Sequence, residues 1–332
     1  MAANPIPAGK LPVELLSRLL ASLGPPPPGV RLGPAVGEDA CALDVGGGVL
    51  IAATDPITLA TADLGRSVVV VNANDVAVSG VQPRWFLATV LLPLGATEEV
   101  VEQLFASMQD ALDEVGATLV GGHTEVTSAV SQPVIVGQML GFAEDGRFVT
   151  TAGANPGDII VQVGSAPIEG AAVLAVEAAD RLTALPPDVI AAARDGLRDP
   201  GISVVEAAAA AASLGATAMH DPTEGGLASG LHELAFAAGV GISVDRGEVR
   251  WFPPGLEVCR VLGADPWATL ASGSLLATFP PEVVAGAREA LATLGRPAAA
   301  IAVVEAGAGV RDTSGAAIAW PERDEVARLL GS

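Results

Sequence analysis

The sequence predicts a mixed α/β (α+β) protein of two domains, and three observations carry that expectation. The chain has 332 residues, more than one core of ordinary size accommodates. Apolar runs of strand length mix with helix-period segments in both halves. Half of the residues are hydrophobic, so each half can bury a core of its own. Aromatic residues make up only 3% and Tyr is absent, which leaves the packing to aliphatic side chains and close backbone approach.

Taken in order, residues 12–23 (PVELLSRLLASL) place apolar side chains at helical spacing, and GPPPPG ends them as a stiff linker. In GPAVGEDACALDVGGGVLIAATDPIT (33–58), Gly33 and Gly37 precede Asp39 and allow backbone N–H groups to gather around an anion. The run VLIAAT then delivers Asp55 to the C-terminal end of a strand, where open α/β sheets place their chemistry. Residues 63–83 leave two readings open: SVVVV has strand propensity, while Val69, Asn72 and Val76 have helical spacing. Asp75, flanked by Asn72 and Asn74, needs a partner if buried, whether a metal, an N–H group or an Arg.

Residues 84–94 read as a strand ended by Pro93. Thr97 caps a helix with Glu98 and Glu99 in its first turn and Gly116 at its end. ATLVGGHTEVT is a short strand running into Gly121 and Gly122, followed by His123, Thr124 and Glu125. The glycines allow either close approach to a ligand or a tight hairpin turn. Residues 133–143 form a further strand.

The second half opens with NPGDIIVQVG (155–164), a turn and an apolar strand; 203–215 is an Ala-rich helix. In 216–239 a short strand brings His220 and Asp221 to a Gly-containing turn, and a helix from Glu224 onward carries His232 and Glu233. That helix start offers N–H groups and a field suited to phosphate. His232 reads as a helix-surface or packing histidine rather than a ligand. GISVDRGEV, SGSLLATF and AIAVVEAG supply strands, with a helix near 281–293.

A formal charge of −21 argues against nucleic-acid or anionic-membrane partners. An anionic substrate then requires local compensation by metal or N–H groups. The N-terminal MAANPIPAGK has no basic region followed by an apolar core, so a soluble, cytoplasmic protein is expected. Cys41 and Cys259 fit no metal or redox spacing and are expected to be reduced and buried. Of 17 basic residues only Lys10 is Lys, a compact charge able to contact one phosphate oxygen. A mobile leader is the alternative reading for it.

Asp39, Asp55, Asp75 and Asp221 are thus four carboxylates at loop or strand ends beside Gly or Asn. Mg²⁺ commonly joins such carboxylates to substrate phosphates. Zinc spacing, a Walker loop, GxGxxG and GxSxG are absent.

The series GEDA (37–40), ATDPIT (53–58), LGRSVVVVNANDVAVSGVQP (64–83), GGHTEVT (121–127) and MHDPTEGGLASGLHELA (219–235) resembles the aminoimidazole ribonucleotide (AIR) synthetase, or PurM-like, superfamily. That superfamily includes selenophosphate synthetase, thiamine-monophosphate kinase and the hydrogenase-maturation carbamoyl dehydratase. The resemblance covers nearly the whole chain. It implies a flexible N-terminal segment with a short helix (1–30), an ATP/Mg-binding domain (31–151) whose sheet forms a barrel across a homodimer, and a C-terminal α/β domain (152–332). It also implies that residues 66–80 are helical. Carried over by position, the metal ligands fall on Asp39, Asp55, Asp75 and Asp221. Nucleotide contacts fall on Gly37, Asn72, Asn74, Gly121, Gly122 and Thr124, and the phosphate segment falls on Lys10.

The chain departs from the pattern at His123, where the kinase and dehydratase branches have Asp. Glu125 is a candidate replacement ligand, and His123, Glu125 and Lys10 are the candidate catalytic groups. The chain ends in LLGS without the dehydratase's terminal Cys, and no Cys precedes Cys41 as in selenophosphate synthetase. The nearest likeness is to AIR-synthase-related, dehydratase-like proteins of unassigned substrate. The expected activity is ATP- and Mg²⁺-dependent phosphorylation of an amide, carbonyl or phosphate oxygen on a small-molecule or peptide acceptor. A thiamine-monophosphate-kinase-like activity, a non-catalytic nucleotide-binding partner protein and a metal-dependent phosphohydrolase are the alternatives.

Overall fold

The computed structural model describes residues 10–58 and 63–331. Residues 1–9 of the expected N-terminal segment lie outside the described residues. The elements in chain order are α1 (Val13–Ala21), β1 (Val30–Leu32), β2 (Cys41–Asp44), β3 (Val49–Ile57), α2 (Leu64–Ala77), β4 (Pro83–Leu92), α3 (Glu98–Val115), β5 (Thr118–Val126) and β6 (Val134–Ala143). They continue with β7 (Ile159–Gly164), α4 (Ile168–Glu177), α5 (Pro187–Asp195), α6 (Val205–Ser213), β8 (Ala218–His220), α7 (Gly226–Ala238) and β9 (Gly241–Val244). The last are α8 (Pro253–Leu262), β10 (Ser274–Phe279), α9 (Val284–Ala292), β11 (Ala298–Glu305), β12 (Gly309–Asp312) and α10 (Glu325–Leu330).

Two six-stranded sheets result, ordered β1-β2-β3-β6-β4-β5 and β12-β9-β11-β7-β10-β8. Each is antiparallel except for one parallel pair at an edge, β4–β5 in the first and β9–β12 in the second. The expected mixture of strands and helices in both halves is therefore observed.

Residues 64–77 are a helix, as the resemblance implies and against the strand propensity of Val68–Val71. All fourteen residues of α2 are buried, between the first sheet, α3 and α6 of the second half. Burial on every side removes the amphipathic pattern that would mark a surface helix, and tertiary packing overrides the β-branched propensity. Close packing at the start of α2 depends on Gly65, where a Cβ would stand 2.3 Å from the Leu104 carbonyl oxygen of α3. The cap on α3 is as the sequence predicts: Thr97 Oγ1 accepts from the Val100 N–H, and Gly116 ends the helix at φ +71°.

Two expectations need correction. Asp75 is in the interior of α2, not at a loop or strand end. Gly121 to Glu125 form no turn; they continue β5, the exposed edge strand of the first sheet. Among the described residues no helix is long and apolar enough to cross a membrane. Both cysteines are free, Cys259 buried and Cys41 only partly so. His232 packs against Trp320 at 5.0 Å between ring centroids, with Nε2 bonded to the Ile318 carbonyl at 2.8 Å.

Candidate functional site

Asp55 lies near the end of β3, and its side chain shares the buried face of the sheet with Ala53 and Ile57. Its backbone is held by Asn72 of α2, whose Oδ1 accepts the Asp55 N–H at 2.8 Å and whose Nδ2 donates to the Asp55 carbonyl at 3.2 Å. Gly137 on β6 makes room for that amide, since a Cβ there would stand 2.4 Å from Asn72 Nδ2. Asn74 ties α2 to the second half, accepting from the Val204 N–H at 2.8 Å and donating to the Ile202 carbonyl at 2.9 Å. Both Asn side chains are fully buried and committed to backbone groups. Their geometry is that of positioning residues.

Asp39 sits in the loop before β2. Next to it, Glu38 accepts the Thr151 and Ala152 N–H groups at 3.1 and 3.0 Å. Gly37 rests directly on α7, at φ +86° and with a Cβ position 2.6 Å from the Glu233 carbonyl oxygen. The loop is thereby seated against the second half. Asp39 Oδ2 meets His220 Nδ1 at 2.8 Å, and His220 Nε2 meets Glu233 Oε2 at 3.0 Å. Only the doubly protonated imidazolium donates at both nitrogens. Burial opposes that charge, but Asp39 and then Glu233 outweigh it and raise the His220 pKa well above its ordinary value. Glu233 also binds Lys10 Nζ through Oε1 at 3.1 Å, and Glu224 Oε2 accepts the Lys10 backbone N–H at 3.1 Å.

Asp55, Asp75, Asp221 and Asp39 stand close enough to perturb one another. Burial, followed by the charges of Asp55, Asp221 and Asp39, pushes the Asp75 carboxyl far up. Asp221 is raised in the same way by burial and by Asp39, with His220 opposing. Asp55 is lifted to about 6 by burial, against the pull of Lys10. Asp221 is 1% exposed and neither of its oxygens has a hydrogen-bond partner. Buried carboxylates without donors are costly, and a divalent cation is one partner that relieves both burial and mutual repulsion. Among the described residues no group of three or more His, Cys, Asp or Glu side chains is arranged to hold an ion by itself. The donor set fits an ion of the Mg²⁺ kind, which takes one or two carboxylates and completes its shell with water and substrate phosphate. Asp221, Asp55, Asp75 and Asp39 are the carboxylates from which one or two ligands would be drawn.

The other expected residues are not brought to this cluster. Asp55 pairs with Gly137, Gly137 with Ala88 and Ala88 with Gly122, so Gly122 stands three strands from Asp55, about 14 Å at ordinary strand spacing. Gly122 and Thr124 share the Asp55 face. Gly121, His123 and Glu125 alternate onto the opposite face, where His123 Nε2 lies 3.3 Å from Glu125 Oε2. His123 and Glu125 therefore cannot replace an Asp beside Asp55 within one chain. Sequence reasoning missed His220 and Glu233 as site residues; the signal was their place in the same segment as Asp221.

Comparison with known proteins follows the same division. Residues 37–143 match the N-terminal domain of AIR synthase related proteins, and residues 155–313 match the C-terminal domain. The carbamoyl dehydratase HypE of Rhodobacter capsulatus is 30% identical over 245 residues, covering 70% of this chain and 66% of that protein. HypE of Rhizobium leguminosarum bv. viciae is 30% identical over 253 residues, 74% of this chain and 70% of the relative. A crystal structure of the hydrogenase maturation protein HypE in complex with ATP is 25% identical with a TM-score of 0.68, covering 90% of this chain and 92% of that one. Matched in both domains over most of its length, the chain belongs to the AIR synthase related family.

Proposed function

We propose that the protein is an ATP- and Mg²⁺-dependent enzyme that phosphorylates an oxygen of a small-molecule or peptide acceptor. The observation that carries this reading is the orphaned, buried Asp221 carboxylate, within electrostatic reach of Asp39, Asp55 and Asp75 of the other half of the chain. The ATP complex of a structurally similar HypE supports it. Bound Mg²⁺ would neutralise charge developing on the transferred phosphoryl group. Asn72 fixes the backbone of Asp55, and Gly37 and Glu38 fix the Asp39 loop against the second half. Lys10, half-exposed beside the carboxylates, offers a cation to a phosphate oxygen.

Calorimetry tests the reading, with ATP titrated with and without Mg²⁺ into wild type and the Asp39→Ala/Asp55→Ala variant. Mg²⁺-dependent binding in wild type, lost in the variant, is expected. Absence of binding to wild type under either condition sinks the proposal.

The finer reading of the fold is a homodimer. The face of the first sheet away from α2 carries Leu87, Leu91, Val136, Leu140 and Phe142 only partly covered, and β5 leaves an open edge. An apolar sheet face with an unpaired edge calls for a partner sheet, and a second copy supplies the matching surface.

A further inference from the structure

Glu233 occupies a position that the nucleotide reading alone does not explain. It lies on α7, 8% exposed, and both of its carboxylate oxygens are engaged by cations from outside its helix. Oε2 takes the imidazolium of His220, which reaches on to Asp39 in the first half; Oε1 takes the ammonium of Lys10, which precedes α1. The charges alternate along Lys10, Glu233, His220 and Asp39. A buried carboxylate in such a row is stabilised from both sides, and Glu233 is held down to about 2: burial works against its charge, but Lys10 and His220 prevail. Lys10 in turn has its backbone N–H fixed by Glu224, so main chain and side chain are anchored together. The ammonium is thereby placed where its field reaches Asp55, Asp75 and Asp221.

We infer that Glu233 is a positioning residue: by gripping Lys10 and His220 with separate oxygens, it sets the chain's single lysine over the carboxylate cluster and ties Asp39 to α7. The role rests on the phosphoryl-transfer reading, in which the ammonium so placed would meet a phosphate of the nucleotide. His220 and Glu233 touch no reacting atom. They act through Asp39 and Lys10.

One lysine means one site for endoproteinase Lys-C, the Lys10–Leu11 bond. Its cleavage in the folded, nucleotide-free protein reports how often Lys10 leaves Glu233. Glu233→Gln removes the charge that holds a half-exposed lysine and is expected to speed cleavage about five- to tenfold. An unchanged rate overturns the proposal. If Glu233→Gln does not fold, Glu233→Asp carries the test: the shorter side chain keeps its charge but cannot span both cations, and a wild-type cleavage rate again overturns the clasp.

The second readout is affinity for ATP–Mg²⁺ in Glu233→Gln, Lys10→Met and the double variant. If Glu233 acts through Lys10, each weakens binding and the double variant is no weaker than the worse single one; fully additive losses overturn the positioning role. Faster cleavage in Glu233→Gln with no ATP binding to wild type leaves the clasp standing and defeats the phosphoryl-transfer reading.

Discussion

Glu169 sits in the first turn of α4 at 4% exposure, and burial lifts its carboxyl to about 7, with Asp324, Glu224 and Asp55 adding to the rise and Ser272 opposing it. The native state therefore binds more protons than the unfolded chain between the ordinary value of 4.5 and about 7. Stability falls as pH rises through that window and stays lowered above it. Glu169→Gln, which mimics the neutral acid, is expected to stabilise the protein at pH 8 by roughly 2–3 kcal/mol and to leave it nearly unchanged at pH 4. Denaturant unfolding at the two pH values checks this; equal shifts at both would refute it. The same physics acts on Asp55 and Asp75, where a bound cation rather than a proton is the expected relief.

At the scale of elements, α2 depends on contacts that its own sequence does not advertise. Gly65→Ala would drive a Cβ against the backbone of α3, with the Leu104 carbonyl at 2.3 Å and the Met108 N–H at 2.9 Å, and neither helix can yield locally. We expect a loss of about 1–3 kcal/mol. Gly286, on the exposed side of α9 with nothing near its Cβ position, is the control. There an Ala is expected to gain about 0.5–1 kcal/mol from helix propensity. Thermal unfolding of the two variants should move in opposite directions; a shared direction would disprove the packing argument. Gly137 plays a third role, since its missing Cβ is the space that Asn72 occupies to hold Asp55.

For the whole molecule, the partly covered apolar face of the first sheet bears on assembly, and His123 and Glu125 lie on that face. In a homodimer they would meet the partner's sheet. Leu140→Glu places a charge in the middle of the apolar face and is expected to give a monomer where wild type is a dimer, as read by light scattering after gel filtration. A wild-type monomer at high micromolar concentration would remove the dimer from consideration.

Much of this fold was legible because it rests on local signals. The amphipathic pattern and caps of α3, the apolar runs of β3, β4, β6, β7, β10 and β11, and the order of the motifs are short-range properties of the chain. Sequence alone also singled out Asp39, Asp55, Asp75 and Asp221 and the lone Lys10, and it set the family by the series of motifs. Periodicity and propensity could not decide α2, whose pattern is erased by burial on all sides, and only the family resemblance pointed to a helix there. Nor could it tell that Gly121 and Gly122 extend a strand, which turns His123 and Glu125 away from Asp55. The row from Lys10 through Glu233 and His220 to Asp39 joins residues 223, 13 and 181 positions apart. Composition and spacing fix which side chains exist and which local structure they favour; which charges neutralise one another depends on how the two sheets bring distant residues within 3 Å or so, and only the tertiary structure decided that.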